Sequence, residues 1–114
     1  MKYKIFQVQL TDAEVDKINA EGHDAVERHA MKLEMSFSID PSGIASRMYG
    51  QGYYDHVANI TANDLNGVFH VGNMGPEHHI ERLGDMSSVS VGDLIIDEGG
   101  DKYVVSSFGF YPVF

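Results

Sequence analysis

The chain contains no cysteine in its 114 residues. Disulfides, zinc–thiolate centres and a thiol nucleophile are thereby excluded. A reducing compartment is where such a chain is at home. No apolar run approaches the roughly 20 residues that span a bilayer. The opening stretch, Met1-Lys2-Tyr3-Lys4-Ile5-Phe6-Gln7-Val8-Gln9-Leu10, alternates and lacks the apolar block of a signal peptide. Without an export signal, Asn59-Ile60-Thr61 carries no meaning as a glycosylation sequon. The expectation is a cytoplasmic protein with no membrane partner.

Basic residues are the next scarcity. Eight Lys/Arg stand against 17 Asp/Glu, for a formal charge of −9. The imbalance lies in the second half, where residues 51–114 hold only Arg82 and Lys102 as cations against nine carboxylates. Such a field repels nucleic acid and anionic membrane, so no direct nucleic-acid contact is expected. It attracts a basic protein surface. Solubility alone is the plainer explanation for an acidic surface. The remaining composition is ordinary, with 43% apolar residues, and supports one domain over residues 1–114. A domain of this size buries roughly two thirds of its unfolded surface without staples.

Hydrophobic periodicity predicts a strand over residues 2–9, with Phe6, Val8 and Leu10 as its core face. Thr11-Asp12-Ala13-Glu14 forms a capping box and starts a helix over Asp12–Glu21, with Gly22 as its stop. A second helical piece follows from Asp24 to about Leu33. Alternation of Met35, Phe37 and Ile39 predicts a half-buried strand, then a turn at Asp40-Pro41-Ser42-Gly43 and a short helix from Ile44 to Met48. Tyr54–Ile60 reads as a strand. A helix begins at Thr61 or Ala62 and presents Leu65, Val68 and Phe69. Glu77–Leu83 is a helical turn or a loop. The end of the chain gives a hairpin, Asp93–Asp97 with Lys102–Phe108, around the Gly99-Gly100 turn. A short last strand spans Tyr111–Phe114. The predicted fold is α+β, a mostly antiparallel sheet of four or five strands with two or three helices on one face.

No motif for catalysis or cofactor binding emerges, and no cofactor is expected. His78-His79 beside Glu77 and Glu81 has metal-ligand chemistry, but adjacent histidines diverge in either a strand or a helix, and His-Glu-x-x-His is absent. His56 and His70 fall within predicted elements, where a structural role is the simpler one. Ser87, Ser88, Ser90, Ser106 and Ser107 flank strands and form no Gly-x-Ser-x-Gly elbow. Gly72, Gly75 and Gly84 are followed by no phosphate-loop lysine. Asp93, at a turn entering a strand, suits an Asx-type hydrogen bond. Asp97, Glu98 and Asp101 around Gly99-Gly100 lack EF-hand spacing and suit a solvated acidic tip. Tyr49, Tyr53, Tyr54, Phe108, Phe110 and Tyr111 are either sheet packing or partner anchors.

Four blocks of residues recur in a known order. They are Tyr54 with Val57; Leu65 with Val68-Phe69-His70-Val71-Gly72-Asn73; Ser87 with Val89-Ser90-Val91-Gly92-Asp93-Leu94-Ile95; and Tyr103-Val104-Val105 with Ser107-Phe108-Gly109-Phe110. Together they make residues 53–114 resemble the YodL-like domains of phages, plasmids and integrative elements. The resemblance implies mobile-element ancestry, with no activity and no catalytic residues to transfer.

The function expected from these features is that of a mobile-element accessory protein that binds, presenting an acidic surface to a basic host protein. Asp85, Asp93, Asp97, Glu98 and Asp101 would form that surface, with Tyr53 and Tyr54 as anchors. A small hydrolase using His and Asp/Glu stands beside it, needing His78 or His56 within reach of a carboxylate. So does a self-associating subunit, a homodimer pairing the edge of the Tyr103–Phe108 hairpin across a two-fold axis.

Overall fold

The computed structural model describes residues 1–114. Its elements are β1 (Lys2–Gln7), α1 (Asp12–Glu21), a 3-10 turn at His23–Ala25, α2 (Glu27–Ser36), α3 (Ser42–Gly50), β2 (Asp55–Thr61), α4 (Leu65–Met74), a second 3-10 turn at Glu77–His79, β3 (Ile80–Arg82), β4 (Leu94–Ile96), β5 (Lys102–Ser106) and β6 (Gly109–Val113). All six strands form one antiparallel sheet in the order β3-β2-β1-β4-β5-β6. The fold is α+β, with six strands and four α-helices.

The helices lie on both faces of the sheet, which corrects the one-sided arrangement expected. One apolar cluster joins Tyr3, Ile5, Val57, Ile60, Ile95 and Val105 to Val68 and Val71 of α4. The other joins Leu94, Ile96, Val104 and Val113 to Met31 and Met35 of α2 and Ala45 and Met48 of α3. Consecutive residues of β4 therefore face opposite cores, and Leu94, Ile95 and Ile96 are all buried. An unbroken apolar run is what a strand covered on both faces requires.

Several local expectations change for physical reasons. The fully buried residues of β1 are Tyr3, Ile5 and Gln7, while Phe6 and Val8 of the expected face are partly buried and pack against the second cluster. Lys4 shares the parity of Phe6, and Phe6 is half-buried with its ring stacked on His56 at 4.8 Å. No strand covers Met35–Ile39. Helix α2 continues to Ser36, with Met31 and Met35 buried one turn apart, while Phe37 and Ile39 project into solvent. The alternation there competes with a helical spacing, and Met35 belongs to the latter.

Helix α1 carries the predicted capping box: the Glu14 amide donates to Thr11 Oγ1 at 3.1 Å and the Thr11 amide to Glu14 Oε1 at 2.9 Å. Helix α4 starts later than expected, because Thr61 still pairs with Lys2 in the sheet. Its N-cap is Asp64, whose Oδ1 accepts from the Gly67 amide at 2.7 Å. The expected free edge of the final hairpin does not exist, since β5 is hydrogen-bonded to β4 on one side and β6 on the other. A two-fold pairing through β5 is thereby removed.

Gly72 sets how closely α4 approaches the irregular segment that carries Val89. A Cβ built there would fall well inside contact distance of the Val89 side chain, which is buried. Gly43, in the exposed first turn of α3, would meet nothing within 4 Å. Gly72→Ala is expected to destabilise the fold by about 1–3 kcal/mol through overpacking. Gly43→Ala is expected to stabilise it by roughly 0.5 kcal/mol through the unfolded chain. Urea unfolding of both variants checks the pair, and equal effects of the same sign would overturn the assignment.

Candidate functional site

The seven residues expected to form one binding surface occupy four separate environments. Asp93 is 1% exposed and lies at the start of β4. Its Oδ2 accepts from Gln7 Nε2 at 3.0 Å and from the Ser90 amide at 2.9 Å. Gln7 Nε2 also donates to the Ser87 carbonyl at 2.9 Å, while its Oε1 accepts from the Ser87 amide at 3.0 Å. Asp93 is thus a structural carboxyl and is removed from the acidic surface. Burial pushes it up to about 6, and the hydrogen bonds from Ser90 and Gln7 limit the rise.

Tyr54 is likewise buried, and its hydroxyl donates to the Gly92 carbonyl at 2.7 Å. Burial raises its phenol, with the nearby Asp93 adding to the effect. Its hydroxyl holds the turn before Asp93, so the buried side chain is engaged within the fold. Tyr53 is half-buried and donates to Glu27 Oε2 at 2.6 Å, so its hydroxyl is already engaged. Asp85 is exposed, in the loop whose main chain receives the Gln9 side-chain amide.

Asp97, Glu98 and Asp101 form the tip of the β4–β5 hairpin. Asp97 Oδ1 accepts from the Gly99 amide at 3.0 Å and the Asp101 amide at 2.9 Å. Glu98 Oε1 accepts from the Lys2 amide at 2.6 Å. The tip therefore stands at the Lys2 end of β1 and Asp85 at the Gln9 end, roughly 20 Å apart at the rise of an extended chain. Three of the five carboxylates gather, one stands away, and one is interior.

The tip has a neighbour that the sequence reading passed over. A hollow of about 430 Å³ opens between the hairpin tip and the start of α4, its lining including Tyr3, Asn63, Asp64, Asp97, Tyr103 and Phe110. Asp64 thus joins the acidic group, although an Asp standing before Leu65 carries an N-cap signal that Thr61 obscured. Tyr3 had no comparable signal, because an alternating strand does not state which parity faces a cavity. The Tyr3 phenol is raised, first by burial and then by the charges of Asp64 and Asp97.

No histidine lies within hydrogen-bond distance of a carboxylate. His56 Nε2 pairs with Asn59 Oδ1 at 2.8 Å, His23 with His29 at 3.1 Å, and the His78 and His79 rings meet edge-on at 4.5 Å. No three His, Asp or Glu side chains come together at metal-binding spacing. A second hollow, of about 360 Å³, lies between the α4–β3 connection and Met86-Ser87-Ser88. Its charged wall residues, Glu77 and Arg82, are paired with each other at 2.5 Å. The acid–base pair that the hydrolase alternative requires is not assembled. No helix is long and apolar enough to cross a membrane.

Asp93 generates a pH prediction. A carboxyl whose folded pKa is raised to about 6 from an ordinary 3.8 stabilises the fold fully below the unfolded value and loses that contribution as pH climbs through 6. The difference at neutral pH is roughly 3 kcal/mol at 1.36 kcal/mol per unit. Asp93→Asn keeps an oxygen for Gln7 and Ser90 without the charge. It is expected to raise stability at pH 7.5 relative to pH 4.5 and to flatten the profile between them. Urea unfolding at the two pH values checks this, and parallel profiles for parent and variant would contradict it.

Compared with protein-family models, with curated proteins and with solved structures, the chain matches none.

Proposed function

We propose that this protein is a binding module of phage or mobile-element origin that works in the cytoplasm by presenting the acidic end of its sheet to a basic host protein. The carboxylates of Asp97, Glu98 and Asp101, with Asp64 beside them, occupy a cationic surface that otherwise holds nucleic-acid phosphates. The mobile-element origin rests on the resemblance carried by residues 53–114.

One observation carries the proposal. Only two ion pairs form in the whole molecule, Arg28 with Glu14 and Arg82 with Glu77. The four carboxylates at the tip and the α4 cap have no cationic partner, and Lys2, beside them, engages Glu98 through its main-chain amide. No ion pair thus neutralises these carboxylates, within a chain of net charge −9. An exposed surface of one sign accelerates encounter with the opposite sign and is screened over about 10 Å at 0.1 M salt.

Capture from a bacterial lysate on the tagged protein, eluted by a salt gradient, tests the idea. A basic nucleic-acid-binding protein that leaves at moderate salt, and that duplex DNA displaces, is the expected result. Glu98→Gln with Asp101→Asn is expected to weaken that complex about tenfold, at roughly 0.5–1 kcal/mol for each charge. An affinity that ignores salt, or that survives the double substitution unchanged, would overturn the proposal.

A further inference from the structure

We infer that His23 and His29 form a two-imidazole clamp for a divalent metal ion of the zinc, nickel and copper class, set across the joint between α1 and α2. Imidazole suits these ions. The clamp lies apart from the acidic tip and does not depend on the function proposed above.

Two distances define it. His23 Nδ1 and His29 Nε2 stand 3.1 Å apart, and the ring centroids 5.3 Å apart. Imidazole nitrogens bind zinc at about 2.0–2.1 Å, so two of them on one tetrahedral ion lie roughly 3.3 Å apart, with centroids roughly 5.2 Å apart. The pair already stands close to both values. In the metal-free chain the same nitrogens share a hydrogen bond, one ring donating N–H to the other. A metal ion takes the place of that proton, and the donating ring carries its proton on its other nitrogen, which no protein group engages.

The surroundings keep the rings available as ligands. Helix α2 holds His29 half-buried, and burial, followed by the charges of His23 and Lys32, pushes its imidazole below the ordinary range. A lowered value leaves His29 neutral, the form that ligates. His23 reaches it from the exposed 3-10 turn, six residues earlier. The other histidines are not so placed. His56 Nε2 is engaged by Asn59 Oδ1 at 2.8 Å, and the His78 and His79 rings meet edge-on. A chain charge of −9 draws cations, while Lys32 opposes one at this spot.

The number of ligands sets the kind of site. No third His, Asp or Glu gathers here, so water completes the shell and the ion exchanges, unlike one in a closed structural centre. Its place gives it a consequence. Ile18 is the one buried residue of α1, and the Glu14–Arg28 ion pair joins that helix to α2. An ion held by His23 and His29 fixes the connection between the two helices, and with it the seating of α1.

Titration of the isotope-labelled full chain with zinc chloride, followed by histidine ring NMR resonances, tests the clamp. The His23 and His29 rings are expected to move together, ahead of every other histidine, and to saturate at one ion per chain. His23→Ala and His29→Ala are each expected to weaken zinc binding about tenfold or more, a loss that even an outer partner of a metal ligand causes. His78→Ala with His79→Ala is expected to leave it unchanged. Zinc is also expected to slow amide exchange in α1 of the parent but not of His23→Ala, whose exposed position spares the fold. Unmoved His23 and His29 rings at excess zinc, movement of one ring without the other, or parent-like affinity in His23→Ala would each overturn the clamp. Zinc shifts confined to His78 and His79 or to the acidic tip would do the same. Both rings ligated with α1 exchange unchanged would overturn the seating of α1 and uphold the clamp.

Discussion

The side chain of Gln7 is the constraint on which the rest of the molecule depends. Its amide nitrogen donates to the Ser87 carbonyl and the Asp93 carboxylate, and its oxygen accepts from the Ser87 amide. These bonds tie the last residue of the central strand to a segment 80 and more residues away. The segment Ser87–Gly92 is irregular, and these bonds pair main-chain groups of Ser87 that no helix or strand satisfies. The same clamp delivers Asp93 to the start of β4, which places Leu94 and Ile96 toward one core and Ile95 toward the other. A buried polar network of this kind specifies register more than it adds stability, since each group merely exchanges water for protein. Its charge is the one unfavourable element, and the raised pKa of Asp93 is the signature.

From that clamp the two-faced sheet follows, and from the sheet follows the position of the candidate site. Central β1 is flanked by β2 and β4. Its Gln7 end is occupied by the network. Its Lys2 end is bordered by the β4–β5 tip and by the loop that leads from β2 into α4. Tyr3 belongs to the α4-side core and also lines the hollow, so one side chain joins the packed interior to the surface. The carboxylates come from two turns whose own amides they also satisfy. Fold and site are therefore built from the same hydrogen bonds at this end of the molecule.

Much of the architecture was legible in the chain itself. The Thr11–Glu14 capping box, the strand at Asp55–Thr61 and the glycine turn between β4 and β5 follow from local chemistry that tertiary structure does not override. The segment Met35–Ile39 was misleading because alternation and helical spacing coincide over so short a stretch, and only contact with Leu94 and Val104 settles Met35 as a helix residue. The parity of β1 was misleading for a different cause. Gln7 is polar, and its burial depends on Ser87 and Asp93, which local sequence cannot bring to it. The Gly99-Gly100 signal placed Asp97, Glu98 and Asp101 together at one hairpin turn, as the β4–β5 connection has them. Composition could not separate interior Asp93 or distant Asp85 from them, because burial and the two ends of a strand are properties of the assembled sheet. Asp64 and Tyr3 lie far in sequence from the tip and were found only by proximity.

The way Asp97 holds its own turn reaches beyond the turn. With two amides bound to one of its oxygens, the tip is set before any partner arrives. A disordered acidic tail of equal charge would give up conformational freedom on every docking event, at roughly 1–2 kcal/mol for each backbone residue fixed. The hairpin, already ordered, would lose little in an encounter of the kind proposed. A rigid tip also fixes the spacing between charges, and under the function proposed that spacing would select a partner whose cations match it.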